Sequence, residues 1–308
     1  MRKVLMLAGA GWLGHCIANK LSSYGEKVTV VHMSMEERFV QYMNADIAHR
    51  LGDTSDEAVC RLALKEVQPD VVINVHPDPN LIKQNYQIFA GHVLHYLHCS
   101  SAGVYVPTGK IPVSEDAPTY AIEKFGGAFI AKKHSDEQAM ALHNQKYFPV
   151  TIIRPGVILG KGMIPLELWG LRNPAFFRQI RDGKVVQVSE QTDVAISATY
   201  VEDVAEIFAQ AVLQPDKSRG QIFNAISWNA THEGYLTAIG EALGVKPRVE
   251  YVPTKTIIDS HISDPAFSLP DYEFFMANLA VSGQKAINVL KVQTESFVKI
   301  LRGSLDSL

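Results

Sequence analysis

The sequence predicts a doubly wound α/β fold, a parallel sheet covered by helices on both faces, with a smaller mixed α/β lobe built from the C-terminal half. Three observations predict it. In the first half, short runs rich in Val, Ile and Leu alternate with segments of helical period, and the runs are too continuously apolar for strands with one wet face. A glycine cluster directly follows the first run and opens a helical stretch. With 308 residues, 47% hydrophobic and 20% charged, the chain can bury a core of that size and has no signature of disorder.

The elements follow in order. Lys3 to Ala8 reads as a buried strand, Trp12 to Tyr24 as the helix behind it, and Lys27 to His32 as a second strand. Asp56 to Val67 is helical, with Leu62, Leu64 and Val67 among its apolar positions, and Asp70 to Val75 is a β-branched strand. A helix over Leu81 to Leu94, a strand over Tyr96 to Ser101, a helix ending near Tyr147 and a strand over Val150 to Arg154 complete the alternation. Beyond Arg154-Pro155-Gly156 the pattern changes. Gly160 to Pro174, rich in Gly, Pro and large apolar residues, reads as a loop or lid. Val185 to Val188, Val201 to Val212, Gln221 to Ala225, His232 to Leu243 and Arg248 to Val252 then mix strands and helices, Asp264 to Pro270 is irregular, and Ala286 to Leu301 is expected as one closing amphipathic helix.

Lys plus Arg number 29 against 32 Asp plus Glu, a formal charge of −3. That balance argues against broad electrostatic capture of nucleic acid or an anionic membrane. Cys16, Cys60 and Cys99 form no Cys-x-x-Cys pair, so a reducing, cytoplasmic setting is expected. No apolar run approaches the about 18 residues of a spanning helix, and the short run after Arg2-Lys3 is broken by Gly9, Gly11 and Gly14, as suits a strand.

Gly9-Ala10-Gly11-Trp12-Leu13-Gly14 is a G-x-G-x-x-G turn between a strand and a helix. The first glycine permits the tight turn, the second lets backbone approach a pyrophosphate, and the third packs helix on strand, so that phosphate meets unpaired N–H groups at the helix start. A Rossmann-type dinucleotide site is expected here, with Trp12 and Leu13 in it. The second strand closes on His32-Met33-Ser34, with no acid until Glu36 and Glu37. Lacking a ribose-binding carboxylate, and with Ser34 or Arg38 available to a 2′-phosphate, the site leans towards NADP(H) over NAD(H).

Further segments share an order with one family: Gly52-Asp53, Pro69 to Ile73, Ser100-Ser101-Ala102-Gly103-Val104-Tyr105, Ser114 to Pro118, Arg154-Pro155-Gly156 and Tyr200 to Ala205. With the glycine turn they make the chain resemble the extended short-chain dehydrogenases/reductases, the group of sugar-nucleotide epimerases and dihydroflavonol-type reductases. The resemblance implies a nicotinamide cofactor, with Asp53 and Thr54 near the adenine, Val75 and His76 along the dinucleotide, and Pro155 and Lys133 also in the cofactor site. The change of pattern after Arg154-Pro155-Gly156 divides the chain into a dinucleotide-binding domain, 1–155, and a mainly substrate-binding lobe, 156–308, some segments of which are expected to return to the first domain. The resemblance matches Ser101 to the family's catalytic serine. It also implies dimerisation through the helices near residues 81–94 and 128–145. Val75-His76-Pro77 departs from the small residues usual in the family.

Family members carry Tyr-x-x-x-Lys on the next helix, where tyrosine moves the proton and lysine holds the ribose; residues four apart share a helix face. Two registers compete. Tyr120-Ala-Ile-Glu-Lys124 has the literal pattern. Phe129-Ile-Ala-Lys-Lys133 has the family's distance to Arg154, and Gly126-Gly127 inside a helix would cost about 2 kcal/mol, which favours a helix starting after them. In that register the usual proton donor is a phenylalanine. Ser101, Tyr120 and Lys133 are the composite catalytic expectation.

Other constellations are set aside. His92, His95 and His98 lack a fourth ligand and read as partly solvated histidines, so no metal site is expected. Ser101, His134 and Asp136 lack the G-x-S-x-G elbow of a hydrolase. Phe176 to Arg181 offers an arginine for a phosphate or carboxylate, and Met163 to Trp169 reads as an apolar cover favouring an apolar substrate. The expected function is an NAD(P)-dependent oxidoreductase interconverting a carbonyl and an alcohol on a small organic molecule. A sugar-nucleotide epimerase or dehydratase, and a catalytically degenerate dinucleotide-binding, RNA-associated protein, remain the alternatives.

Overall fold

The computed structural model describes residues 1–107, 111–119, 127–146, 148–306 and 308. In chain order the first half runs β1 (Lys3–Leu7), α1 (Trp12–Ser23), β2 (Lys27–His32), β3 (Ala48–Leu51), α2 (Glu57–Val67), β4 (Val71–Asn74), α3 (Ile82–Phe89), β5 (His95–Cys99), α4 (Gly127–Lys146) and β6 (Val150–Pro155). Then come β7 (Val157–Leu159), α5 (Pro174–Arg181), β8 (Val185–Ser189), β9 (Ala195–Tyr200), α6 (Val201–Leu213), α7 (Pro215–Ser218) and β10 (Ile222–Ala225). The chain closes with β11 (Trp228–Thr231), α8 (His232–Leu243), β12 (Arg248–Val252), α9 (Thr254–His261), α10 (Leu269–Phe275), α11 (Gln284–Leu290) and α12 (Phe297–Leu305).

Seven strands form one sheet in the order β10-β6-β5-β4-β1-β2-β3, every pairing parallel. Side chains alternate between its faces as the pleat requires. Val4 and Met6 pack with Ile17, Leu21 and Phe208 from α1 and α6, whereas Leu5 and Leu7 pack with Cys60, Ile88 and Phe89 from α2 and α3. Each of the larger aliphatic or aromatic side chains buried there contributes about 1.5–3 kcal/mol. The chain leaves β1 towards β2 and β3, then crosses to β4, β5 and β6 on the other side. This reversal opens a crevice at the carboxyl ends of β1 and β4, where such sheets bind ligands.

The second half is not a separate block. β10 adds the last strand to the main sheet and α6 lies on α1, while β11-β9-β7 and the pair β12-β8 form small sheets around a second core that includes Trp169, Phe177 and Tyr235. The doubly wound expectation holds, with local corrections. β3 is an exposed edge strand, Ala-His-Arg-Leu, without an apolar run to signal it, and β7, β9, β11 and α9 are further elements the sequence pattern did not separate. The helix expected over Leu81 to Leu94 stops at Phe89, ahead of Gly91 at φ +78°. The single closing helix is two, α11 and α12, because Lys291 takes a left-handed φ of +60° and ends α11. Among the described residues no helix is long and apolar enough to cross a membrane.

Candidate functional site

The turn after β1 is built around backbone proximity. A Cβ on Gly14 would lie 2.3 Å from the Gly9 carbonyl oxygen, so only glycine lets α1 start against the turn. A Cβ on Gly11 would meet nothing within 4 Å: that side is open. Ala8 holds φ +56°, a left-handed conformation that costs a non-glycine residue about 1–2 kcal/mol. α1 begins at Trp12 with neither a side-chain cap nor an acid in its first turn, leaving its N-terminal N–H groups suited to an anion. The residues present therefore fit a pyrophosphate.

The end of β2 corrects the premise about the missing carboxylate. Glu37 folds back so that its Oε1 accepts from the Met33 and Ser34 N–H groups at 2.7 and 3.0 Å. A carboxylate thus stands where the ribose end of a dinucleotide is expected. The two groups expected for a 2′-phosphate are otherwise engaged: Ser34 Oγ accepts from Glu36 N at 3.1 Å, and Arg38 donates to the Gly162 carbonyl at 3.0 Å. Asp53 accepts from the N–H and hydroxyl of Ser55, which holds its carboxyl below the usual range, and Thr54 is buried beside it. Val75 N donates to the Leu7 carbonyl, joining the ends of β4 and β1, and the His76 N–H donates to Asn74 Oδ1 at 3.0 Å.

Beyond β5, Ser101 Oγ accepts from Gly103 N at 3.1 Å in a short turn over Ala102–Val104. Phe129 and Lys133 both lie on α4, four residues apart. The Phe129 ring packs on Gly103 and stands 4.7 Å from the Phe274 ring. Ser101 and Phe129 share the wall of a cleft of about 270 Å³ whose other walls include Pro155, Ile196, Phe274 and Phe275. Among the described residues no lysine or arginine lines it. Lys133 is on the same helix, but its Nζ lies 3.0 Å from Glu137 Oε1. Tyr120 and Lys124 lie outside the described residues.

Under the Ser101 turn runs a buried polar chain that the sequence reading missed. Arg154 Nε donates to Asp136 Oδ2 at 2.8 Å, and Ser100 Oγ donates to the same oxygen at 2.9 Å. Arg154 Nη1 reaches the Tyr105 hydroxyl at 2.8 Å, which donates to Asn224 Oδ1 at 2.6 Å. Burial pushes the Asp136 carboxyl up against the pull of Arg154. A lone arginine closing the apolar strand Val150-Thr-Ile-Ile was the available signal. Asp136 is thus taken by Arg154 while His134 is exposed, and no hydrolase triad forms with Ser101. His95 and His98 are not solvated: both are 1% exposed, pushed by burial down to about 3, and directed to Thr151 and Ser135. Among the described residues no group of three or more His, Cys, Asp or Glu is placed to hold a metal ion.

The loop between β7 and α5 does lie over the site. Trp12 Nε1 donates to the Lys161 carbonyl at 3.0 Å, and the Arg172 guanidinium stands 5.8 Å from the Trp12 ring. Leu166 from the same loop lines the cleft, while the arginines of α5 do not reach it; Arg181 bonds the Leu308 carbonyl instead.

The profile of the NAD dependent epimerase/dehydratase family matches residues 4–225. The chain belongs to the NAD-dependent epimerase/dehydratase family. Its similarity to solved members is one of fold: an epimerase from Methanothermobacter thermautotrophicus superposes with a TM-score of 0.75 at 20% identity, covering 99% of this chain and 91% of that one. A UDP-glucose 4-epimerase from Thermus thermophilus, solved with NAD, gives 0.71 at 19% identity over 98% and 97%. A chloroplast stem-loop binding protein of 41 kDa (b form) from Arabidopsis thaliana is 24% identical over 99% of this chain and 78% of its own length. Within the epimerase/dehydratase family frame, the glycine turn and Ser101 occupy the carboxyl edge of one parallel sheet.

Proposed function

We propose that the protein is a nicotinamide-dinucleotide-dependent oxidoreductase that interconverts a carbonyl and an alcohol on a small, largely apolar molecule held in the Ser101 cleft. One observation carries the reading: in the order β6-β5-β4-β1, the strands end successively on Pro155, Ser100-Ser101, Val75-His76 and the glycine turn, so substrate cleft and dinucleotide groove adjoin along one edge. The α1 N-terminus and the open side of Gly11 take the pyrophosphate, Asp53 and Thr54 face the adenine, and Glu37 takes the ribose 2′-hydroxyl, which favours NAD(H). When bound, the cofactor supplies or accepts the hydride. Gly103 N–H occupies a lone pair of Ser101 Oγ and leaves the hydroxyl proton free to donate to the substrate oxygen. Lys133 turns from Glu137 to the nicotinamide ribose, and Tyr120 delivers the proton that Phe129 has none to give. Among the described residues the cleft wall offers no cation to the diphosphate of a nucleotide sugar, which weighs against an epimerase.

The test is a titration with NADH and NADPH followed by Trp12 fluorescence, then a screen of small aldehydes and ketones. Micromolar NADH binding with carbonyl turnover that falls in Ser101→Ala supports the reading; no binding of either dinucleotide overturns it. A second reading is favoured by Phe129 beside Ser101 and by the Arabidopsis relative's name: a dinucleotide-binding, RNA-associated protein without redox activity. NADH binding and an RNA stem-loop gel shift, with no turnover, would select it.

A further inference from the structure

The loop between β7 and α5 reaches across to the first half of the chain with the tip of a tight turn. Gly160 and Met163 form an antiparallel bridge, and Lys161 and Gly162 stand exposed between them. The tip is gripped from two sides. From the glycine turn, Trp12 Nε1 donates to the Lys161 carbonyl at 3.0 Å; from the loop after β2, Arg38 Nη2 donates to the Gly162 carbonyl at 3.0 Å. A Cβ on Gly162 would lie 3.6 Å from both Trp12 Nε1 and Phe39 Cε1, so the tip is seated between the two rings. The roots of the turn are held more deeply. Gly160 N donates to Ser304 Oγ at 2.8 Å, Arg172 donates to the Ile158 and Ile164 carbonyls, and the Tyr235 hydroxyl donates to the Leu166 carbonyl at 2.7 Å.

We propose that the Gly160–Met163 turn is a latch on the dinucleotide groove: its tip joins Trp12 to Arg38, and the dinucleotide enters and leaves only while those two hydrogen bonds are open. The proposal rests on the groove being the dinucleotide site. Trp12 opens α1 at the glycine turn and Arg38 follows Glu37 beyond β2, so the tip ties together the two sides between which the dinucleotide is expected. Gly160 and Gly162 hold φ of +146° and +92°, and a turn of that kind can hinge at its glycines while its roots stay in place. Two exposed hydrogen bonds part far more often than the buried contacts behind them. Neither bond uses an atom of the dinucleotide, so the latch weighs alike on the filled and the empty groove. It therefore sets the rate of exchange and leaves affinity alone.

The test compares the full-length protein with Arg38→Met, which removes one of the two bonds and keeps an apolar stem beside Phe39. NADH association and dissociation are followed by stopped-flow fluorescence. The expected result is that both rate constants rise together, by about fivefold or more, while their ratio, the Kd, stays within about twofold. Hydrogen exchange over residues 160–166 is expected to quicken in Arg38→Met while that of β1 and α1 does not change, a readout of the latch that needs no dinucleotide. A rise in the dissociation rate alone, with Kd weakened in proportion, makes Arg38 a direct contact of the dinucleotide and overturns the latch. Rates that do not move while NADH binds, or unchanged exchange over 160–166, overturn it as well and leave the dinucleotide site standing. Failure of the wild-type protein to bind NADH overturns the dinucleotide site and the latch together.

Discussion

The Phe129 ring lies so close to Gly103 that a methyl group on Gly103 would stand 2.3 Å from the ring's Cε1. A phenyl group therefore stands in the cleft wall beside Ser101. Ser101→Ala and Tyr120→Phe are each expected to lower carbonyl turnover by about 100-fold or more. Phe129→Tyr, which sets a phenol four residues before Lys133, is expected to rescue Tyr120→Phe at least about tenfold. Steady-state kcat values for the three variants and the double variant decide it.

The glycines of the turn separate folding from binding. Gly14→Ala drives a methyl into the Gly9 carbonyl and is expected to destabilise the protein by several kcal/mol, read as a fall in Tm. Gly11→Ala meets open space, so Tm stays within a degree or two while NADH affinity falls about tenfold, a loss of about 1.4 kcal/mol.

Glu37 is expected to set cofactor choice through charge. Glu37→Gln keeps an oxygen for the Met33 and Ser34 N–H groups and removes the repulsion of a 2′-phosphate. NADPH affinity relative to NADH is expected to rise about tenfold, measured by competitive titration.

Glu167 makes stability depend on pH. Its carboxyl is raised from 4.5 to about 8, so between those values the folded chain holds a proton that the unfolded chain has released. Stability therefore falls as pH rises through that window. His232, lowered to about 4, acts oppositely: its share of stability rises with pH up to 6.5. Melting curves from pH 5 to 9 are expected to show Glu167→Gln gaining on wild type as pH rises, by several degrees at the top of the range.

The Asp136–Arg154 pair is buried, with the arginine side chain 3% and the aspartate 2% exposed. Asp136→Asn is expected to cost about 3–5 kcal/mol in urea unfolding, and Asp136→Leu combined with Arg154→Met to recover part of it.

The alternation β1-α1-β2 was legible because its signals are local: β-branched runs, a glycine that nothing else can replace, and a helix of the right period. β3 was not, because an edge strand with an exposed face needs no apolar run. Nor was the fold-back of Glu37, a matter of one turn's backbone, nor the capture of Asp136 by a strand residue, which only tertiary packing brings about. Glu167 was read as part of an apolar cover; nothing around it in sequence marks a carboxyl without a partner.

The polar chain beneath Ser101 has a consequence for synthesis. Asn224, which holds Tyr105, donates its amide to the Ser282 carbonyl, and α1 is clamped to α6 through Lys20, Tyr24 and Glu206. A nascent chain that has emerged only as far as β6 owns the glycine turn and Ser101, yet lacks the helix that seats the one and the strand that floors the other. Such long-range closure is slow, and it leaves the apolar faces of the first strands uncovered meanwhile. Both halves of the site therefore mature late and together, and a chain arrested between them is adhesive rather than half-active.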